Sequence, residues 1–440
     1  MTESIHAAFA LLPSGLEENV RLELRDGRWS SITVGVEAEP PDKRCRGVVL
    51  PGLANAHGHG FHRALRGRTQ LGRGTFWTWR IAMYELARRI TPEQYYKLAL
   101  GLYCEMAAAG ITTVGEFHYL HRTPQGHPYR DPNEMGLALK EAAYNAGIRL
   151  TLLDTLYLAG GLESGGHTAL NDTQRRFTDD SVEGWQVRVA QLRDDQRFKV
   201  GSALHSIRAV ARPDLIRVSS EVARSVCHIH LSEQREENEL CAAYYGCTPT
   251  ELLADTGLLT ATTVLVHATH TQRADRDLIE RSQSQICLCP STEADLADGL
   301  APVSELRDRG IALCLGTDQH VFVDLFREVQ LLEGGERLRT ESRGHLDGAT
   351  LIDIASRHGH QSLGWDDVGE LRVGFRADLV EIRLDSPSTA GVEPAQILFA
   401  ATRSDVVTVI VDGVTVVDSG QHVRGDIGKM LTEAIAEIWG

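Results

Sequence analysis

"GVVLPGLANAHGHGFHRAL" (47–65) is an apolar, β-branched run that ends in three histidines, His57, His59 and His62. The stretch 47–57 reads as one buried strand. Side chains two apart on a strand face the same way, so His57 and His59 point together. His62, three further on, breaks that alternation and belongs to the turn or first helical residues beyond the strand. One H-x-H pair is weak evidence for a metal. Its weight depends on what the rest of the chain places beside it.

Seven further runs have the same strand character: "GITTVGEFHY" (110–119), "IRLTLLDTLY" (148–157), "FKVGSALHS" (198–206), "VCHIHLS" (226–232), "TTVLVHA" (262–268), "SQICLCPS" (284–291) and "IALCLGTD" (311–318). Amphipathic helical segments separate them. In one, Thr91, Pro92 and Gln94 form a capped start and Gly110 a stop. Eight strand–helix units over about 300 residues predict an α/β fold, a (β/α)8 TIM barrel, with its chemistry at the C-terminal ends of the strands. The chain ends differ. "VRLELRDGRWSSITVG" (20–35) and "VVTVIVDGVTVVDSG" (406–420) alternate apolar and polar residues around Asp26-Gly27 and Asp412-Gly413, which are hairpin signals. Neither hairpin is stable alone. Residues 1–50 and 366–440 are therefore expected to form one small β-sandwich, with the barrel over 51–365.

The predicted strand ends are rich in ligand types. Strand 5 carries "HIHLSE", with His228, His230 and Glu233; strand 6 carries "LVHATH", with His267 and His270; strand 8 ends in "LGTDQH", with Asp318. Imidazoles plus one carboxylate suit a single divalent ion, zinc foremost with Fe²⁺ or Mn²⁺ as alternatives, and leave a position open for water. His228 faces away from His230 and reads as a core residue, and His270 reads as structural.

Composition sets limits on partners. A net charge of −15 over 440 residues argues against a nucleic-acid or anionic-membrane partner, and an anionic substrate would need its own arginines. No apolar run approaches the roughly 18 residues of a membrane span. The first twenty residues contain no Lys or Arg and do not read as a signal peptide. Eight cysteines without a C-x-x-C pair suggest reduced thiols in a cytoplasmic protein, with Cys287 and Cys289 packed on a buried strand.

H-x-H on strand 1, His on strands 5 and 6, and Asp on strand 8 resemble the amidohydrolase superfamily, metal-dependent hydrolases on a barrel flanked by a small β-sandwich. "VGELRVGFRADLVEI" (368–382) resembles the stretch by which such chains re-enter the sandwich. The resemblance implies His57, His59, His230 and Asp318 as metal ligands. Some members bridge two metals with a carboxylated lysine from strand 4. The only lysine there is Lys199, six residues before His205, hence about 20 Å from the mouth, so one metal is expected. His230-x-x-Glu233 matches the deaminases of the mononuclear branch, which implies Glu233 as proton donor, Asp318 as proton acceptor from water, and His267 as stabiliser of developing charge.

"FWTWRIAMYELARRITPEQ" (76–94), "EFHYLHR" (116–122), "LHSIRAV" (204–210) and "STEADLADG" (291–299) further resemble the branch that deiminates N-formimidoyl-L-glutamate to N-formyl-L-glutamate and ammonia in histidine degradation. This implies a small dicarboxylate substrate bound by Arg80, Tyr119, His205 and Arg208, and a homodimer; His62, above the metal, is expected to support the ligands or face the substrate rather than ligate. Trp77 and Trp79 read as packing in a long loop that covers the site. The chain departs from that branch at His62, where Gln is expected, and at Asp295, where Asn is expected. Asp295 would oppose a dianion if it faced the site unpaired. The alternative reading is a deaminase of another amidine or nucleobase-like compound, which would not need paired arginines. A barrel kept as a non-enzymatic scaffold is disfavoured by the complete ligand set.

Overall fold

The computed structural model describes residues 3–70, 74, 76–222 and 225–440. Four strands open the chain: β1 (Glu3–Leu12), β2 (Gly15–Arg25), β3 (Arg28–Thr33) and β4 (Lys43–Leu50). The barrel strands follow: β5 (Leu53–Gly58), β6 (Ile111–His118) and β7 (Arg149–Leu156), then, after a small hairpin of β8 (Gly161–Glu163) and β9 (Gly166–Thr168), β10 (Phe198–Ser206), β11 (Cys227–Leu231), β12 (Thr263–His267), β13 (Gln285–Leu288) and β14 (Leu313–Leu315). The chain returns through β15 (Leu379–Ile382), β16 (Val406–Val411), β17 (Val414–Asp418) and β18 (Gln421–His422).

β5, β6, β7 and β10 to β14 pair in parallel in chain order, and the ring closes where Gly58 bridges Asp318. At that seam the amides of Thr317 and Asp318 both donate to the carbonyl of His57, at 3.1 Å. Gly316 permits the approach, because a Cβ there would stand 2.7 Å from the same oxygen. Parallel strands flanked by helices are buried on both faces, which is why β5, β6 and β7 are buried at every residue. Ala56, Val264, Val266, Cys287, Cys289 and Cys314 fill the barrel interior as one apolar layer.

The two chain ends meet as expected, in a separate eight-stranded, mostly antiparallel sheet ordered β18-β17-β16-β15-β4-β1-β2-β3. The two hairpin tips pack together: a Cβ on Gly27 would lie 2.9 Å from the carbonyl oxygen of Asp412. The sheet encloses its own core, with Val20, Leu22, Trp29, Leu379 and Ile410 among its residues. Arg149, fully buried at the base of β7, ties barrel to sheet by donating to Asp378 and Asp412. The closing helix Ile427–Trp439 returns to the barrel side, where Trp439 donates to the carbonyl of Ala64 at 3.1 Å.

One strand reading is corrected. Residues 47–57 are not a single strand but the end of β4 and most of β5, in two different sheets, separated at Pro51-Gly52. Proline removes a ladder donor and restricts the residue before it, so a turn falls inside an otherwise continuous apolar run. The capped start at Thr91 is present: Gln94 N–H donates to Thr91 Oγ1 and Thr91 N–H to Gln94 Oε1, and the helix runs Pro92–Ala108.

Candidate active and metal site

The strand alternation puts His57 and His59 on the barrel axis at the top of β5, and His230 and Asp318 join them from β11 and the end of β14. Asp318 Oδ1 lies 3.4 Å from His57 Nε2 and 3.3 Å from His59 Nε2, and His230 Nε2 lies 3.2 Å from His57 Nε2. One ligand atom from each of the four falls within 4.8 Å of the others, and all four side chains are buried. The rings are aimed by backbone carbonyls: His59 Nδ1 bonds the carbonyl of Phe117 at 2.9 Å and His230 Nδ1 that of His205 at 2.8 Å. Such bonds make Nδ1 the donor and leave each Nε2 lone pair facing inward. Burial lowers the pKa of His57 to about 3 and that of His230 well below the usual value. Asp318 is held well below the usual carboxylate range because the neighbouring His57 and His59 outweigh its burial. Neutral imidazoles around an ionised carboxylate form a donor set that fits a divalent cation.

His267, on β12, stands on the far side of Asp318. Its Nε2 is 3.8 Å from Asp318 Oδ2 and 3.8 Å from Glu233 Oε1, and its Nδ1 is 3.2 Å from Glu293 Oε1. Burial pulls its pKa down, but the charge of Glu233 and the bond to Glu293 outweigh this and hold it well above the usual value. His267 and Asp318 both sit at positive φ, 71° and 41°. A non-glycine residue there carries strain of about 1–3 kcal/mol, retained only where its surroundings over-determine it.

Above these residues opens a cleft lined by His62, Arg80, Tyr119, His205, Arg208 and Glu233 among others. The four residues expected to bind substrate, and His62 with them, thus share one cavity with the histidine cluster. His62 sits in a 3-10 turn, Gly60–Leu65, that is pinned where Gly60 N–H donates to the buried carboxylate of Glu116. Its Nε2 is 3.2 Å from the Tyr119 hydroxyl, its ring centroid is 4.7 Å from that of His59, and its buried Nδ1 has no hydrogen bond among the described residues. Arg80 lies on a helix, Phe76–Ala87, within the segment expected as a loop, and donates to Tyr84 Oη at 2.7 Å. Trp79 packs edge-on to His62, while the side chain of Trp77 is outside the described residues. Arg208 stands 3.4 Å from both Glu233 Oε2 and Glu237 Oε2.

His228 bonds the carbonyl of Ser362 in the core, and His270 does not line the cleft. Lys199 donates to the carbonyl of Gly364 and covers the ring of Trp365, at the opposite end of β10 from His205. Asp295 is exposed and takes the side-chain amides of Gln70 and Gln319, at 3.2 and 3.0 Å, so its charge is turned away from the cleft.

Four residues were missed. Glu293 anchors His267; Glu237 and Asp298 are buried carboxylates whose pKa values burial raises to about 7 and about 8; Cys289 belongs to a group with His267 and Asp318 whose ligand atoms lie within 4.8 Å of one another. Only Glu237 had a local signal, four residues after Glu233 in a helical stretch.

A metal-ligand cluster of this composition at the mouth of a (β/α)8 barrel, with a second sheet from both chain ends, defines a metal-dependent barrel hydrolase. Residues 48–416 match the Amidohydrolase family, and the chain belongs to it. Residues 2–46 match the N-terminal domain of formimidoylglutamate deiminase HutF. Among curated proteins, the chain is 38% identical over 438 residues to the formimidoylglutamate deiminase of Pseudomonas aeruginosa, covering 95% of each. It is 27% identical to the 8-oxoguanine deaminase of the same organism, covering 91% of each. A crystal structure of an amidohydrolase from Brucella melitensis superposes with a TM-score of 0.90 at 35% identity over 100% of both chains. At 21% identity, the zinc complex of atrazine chlorohydrolase TrzN from Arthrobacter aurescens has the same fold, with a TM-score of 0.87 over 99% of both chains.

Proposed function

We propose that this protein hydrolyses N-formimidoyl-L-glutamate to N-formyl-L-glutamate and ammonia, as a formimidoylglutamate deiminase of histidine degradation. The observation that carries the reading is one cleft lined by His59, His230 and Asp318 of the donor cluster, with His57 buried behind them, and by two guanidinium groups, Arg80 and Arg208. A substrate with an amidine at one end and two carboxylates at the other matches that polarity. Arginine's planar fork suits carboxylates, and in a protein of net charge −15 these cations are placed locally.

The four cluster residues would hold one divalent ion, zinc by the donor set, which supplies Lewis-acid activation of water when bound. Asp318 Oδ2 takes the proton released as water adds to the amidine carbon. Glu233 protonates the imino nitrogen, then takes the proton of the added hydroxyl and passes it to the departing nitrogen, so that the C–N bond breaks, ammonia leaves, the formyl oxygen remains and the proton held by Asp318 restores Glu233. Glu233 and Asp318 flank the same nitrogen of His267 at 3.8 Å, so acid and base converge on one small volume beside a group that can steady the developing charge. Arg80, Arg208, Tyr119, His205 and His62 position the substrate. The cytoplasmic setting fits eight free thiols, and among the described residues no helix is long and apolar enough to cross a membrane. A homodimer and the division into residues 1–50 with 366–440 and residues 51–365 belong to the same proposal.

The test is ammonia release from N-formimidoyl-L-glutamate beside guanine, adenine and an imidazolone. Turnover of the first alone is expected. Failure on it with turnover of another would replace the substrate and keep the site.

A further inference from the structure

The residues beside the proposed ligands form a second donor group that the reaction above does not use as such. Cys289, just past β13, offers its sulfur to the same volume as His267 and Asp318, with all three ligand atoms within 4.8 Å and all three side chains buried. His267 Nε2 is fully buried and makes no hydrogen bond among the described residues. Asp318 is divided between two neighbourhoods: Oδ1 faces His57 and His59 at 3.4 and 3.3 Å, whereas Oδ2 faces His267 at 3.8 Å. A carboxylate so placed can bridge two cations. Glu233, 3.8 Å from His267, adds a further carboxyl group beside this space. Gly316 lets the barrel seam close tightly against Cys289, since a Cβ there would be 3.0 Å from Cys289 Sγ and 2.8 Å from His57 Cβ.

We propose that His267, Cys289 and Asp318 form a second, inhibitory cation site that shares Asp318 with the first and selects soft divalent ions, Cd²⁺ and excess Zn²⁺, over Mg²⁺. The selectivity comes from the sulfur, because thiolate and imidazole donors favour soft and borderline ions and an oxygen-seeking ion gains little from them. Binding there displaces two protons to solvent, that of the Cys289 thiol and that on His267 Nε2, which Glu233 and Glu293 otherwise keep in place. It also occupies the nitrogen of His267 and the second oxygen of Asp318, the atoms assigned above to charge stabilisation and to proton acceptance, so turnover stops while the first cation stays in place. The inference rests on the first cation being held at His57, His59, His230 and Asp318.

The test uses the holoprotein carrying one equivalent of Zn²⁺, titrated with Cd²⁺ while bound metal, the ultraviolet cadmium–thiolate absorption and ammonia release are followed together. One further equivalent is expected, with a thiolate band that rises as activity falls. In Cys289→Ser and Cys289→Ala the first equivalent and the uninhibited activity persist, the band disappears, and the Cd²⁺ concentration for half-inhibition rises by roughly tenfold or more, as losses even from outer-shell changes suggest. A band that survives in both variants and is lost in Cys287→Ser would overturn the assignment, as would inhibition with no second equivalent. A wild-type protein that takes up no cation at all would overturn the functional reading together with this one, whereas a single equivalent overturns only the second site.

Discussion

Arg208→Ala separates substrate binding from folding in this cleft. Arg208 lies 3.4 Å from Glu233 and 3.4 Å from Glu237, with 14% of its side chain exposed. Removing one member of a buried pair costs about 3–5 kcal/mol, because the charges left behind remain desolvated. Here the loss falls toward the lower figure, since burial already raises Glu237 to about 7, and without the guanidinium it takes up a proton in place of the ion pair. The same substitution deletes a charge-assisted contact to the substrate carboxylate, worth about 1.5–3 kcal/mol, hence about ten- to 150-fold in kcat/KM. The two losses separate in the double variant Arg208→Ala/Glu237→Gln. The neutral amide relieves the stranded carboxylate, so denaturant unfolding should recover most of the stability, whereas steady-state ammonia release should remain depressed. Should the double variant recover both, the arginine is a structural counter-ion and does not bind substrate. A single variant within threefold of wild type on N-formimidoyl-L-glutamate would refute the binding role outright.

Chelation should abolish ammonia release and leave the far-ultraviolet spectrum intact, because the ring is closed by backbone bonds from His57 to Thr317 and Asp318; unfolding on chelation would show that the cation is structural. Glu293→Gln weakens the hold on His267 Nδ1 and should lower kcat by about ten- to 100-fold with the bound metal unchanged, as read by metal analysis beside kinetics. At the outer wall of the barrel, Arg188 outweighs the effect of burial and holds Asp154 at about 2. The carboxyl's folded-state pKa is thus depressed, and its contribution of about 2 kcal/mol is complete above pH ~4 and lost as pH falls through 2. Asp154→Asn should flatten that acid limb in equilibrium unfolding, and an unchanged limb would count against the assignment.

Strand periodicity by itself determined that His57 and His59 share a face, that His62 stands apart, and that Lys199 lies at the wrong end of its strand to reach a metal. It also set the order of eight strands and hence which ends carry ligands, because direction along a strand is a local property of the chain. Its failures were equally local: the apolar run 47–57 conceals a sheet-to-sheet turn at Pro51-Gly52, since residues buried on both sides look alike in either sheet. Only the tertiary structure decided what each ligand faces. Glu293 reaches His267 from 26 residues away and Asp318 reaches His57 from across the barrel seam, distances in sequence over which no period operates. The same holds for Asp295, held at the surface by hydrogen bonds from Gln70 and Gln319, and for Cys289, an ordinary buried strand residue until the ring closes and sets its sulfur beside His267. Which way a side chain points is written in its near neighbours; what it meets there depends on how distant segments close the barrel.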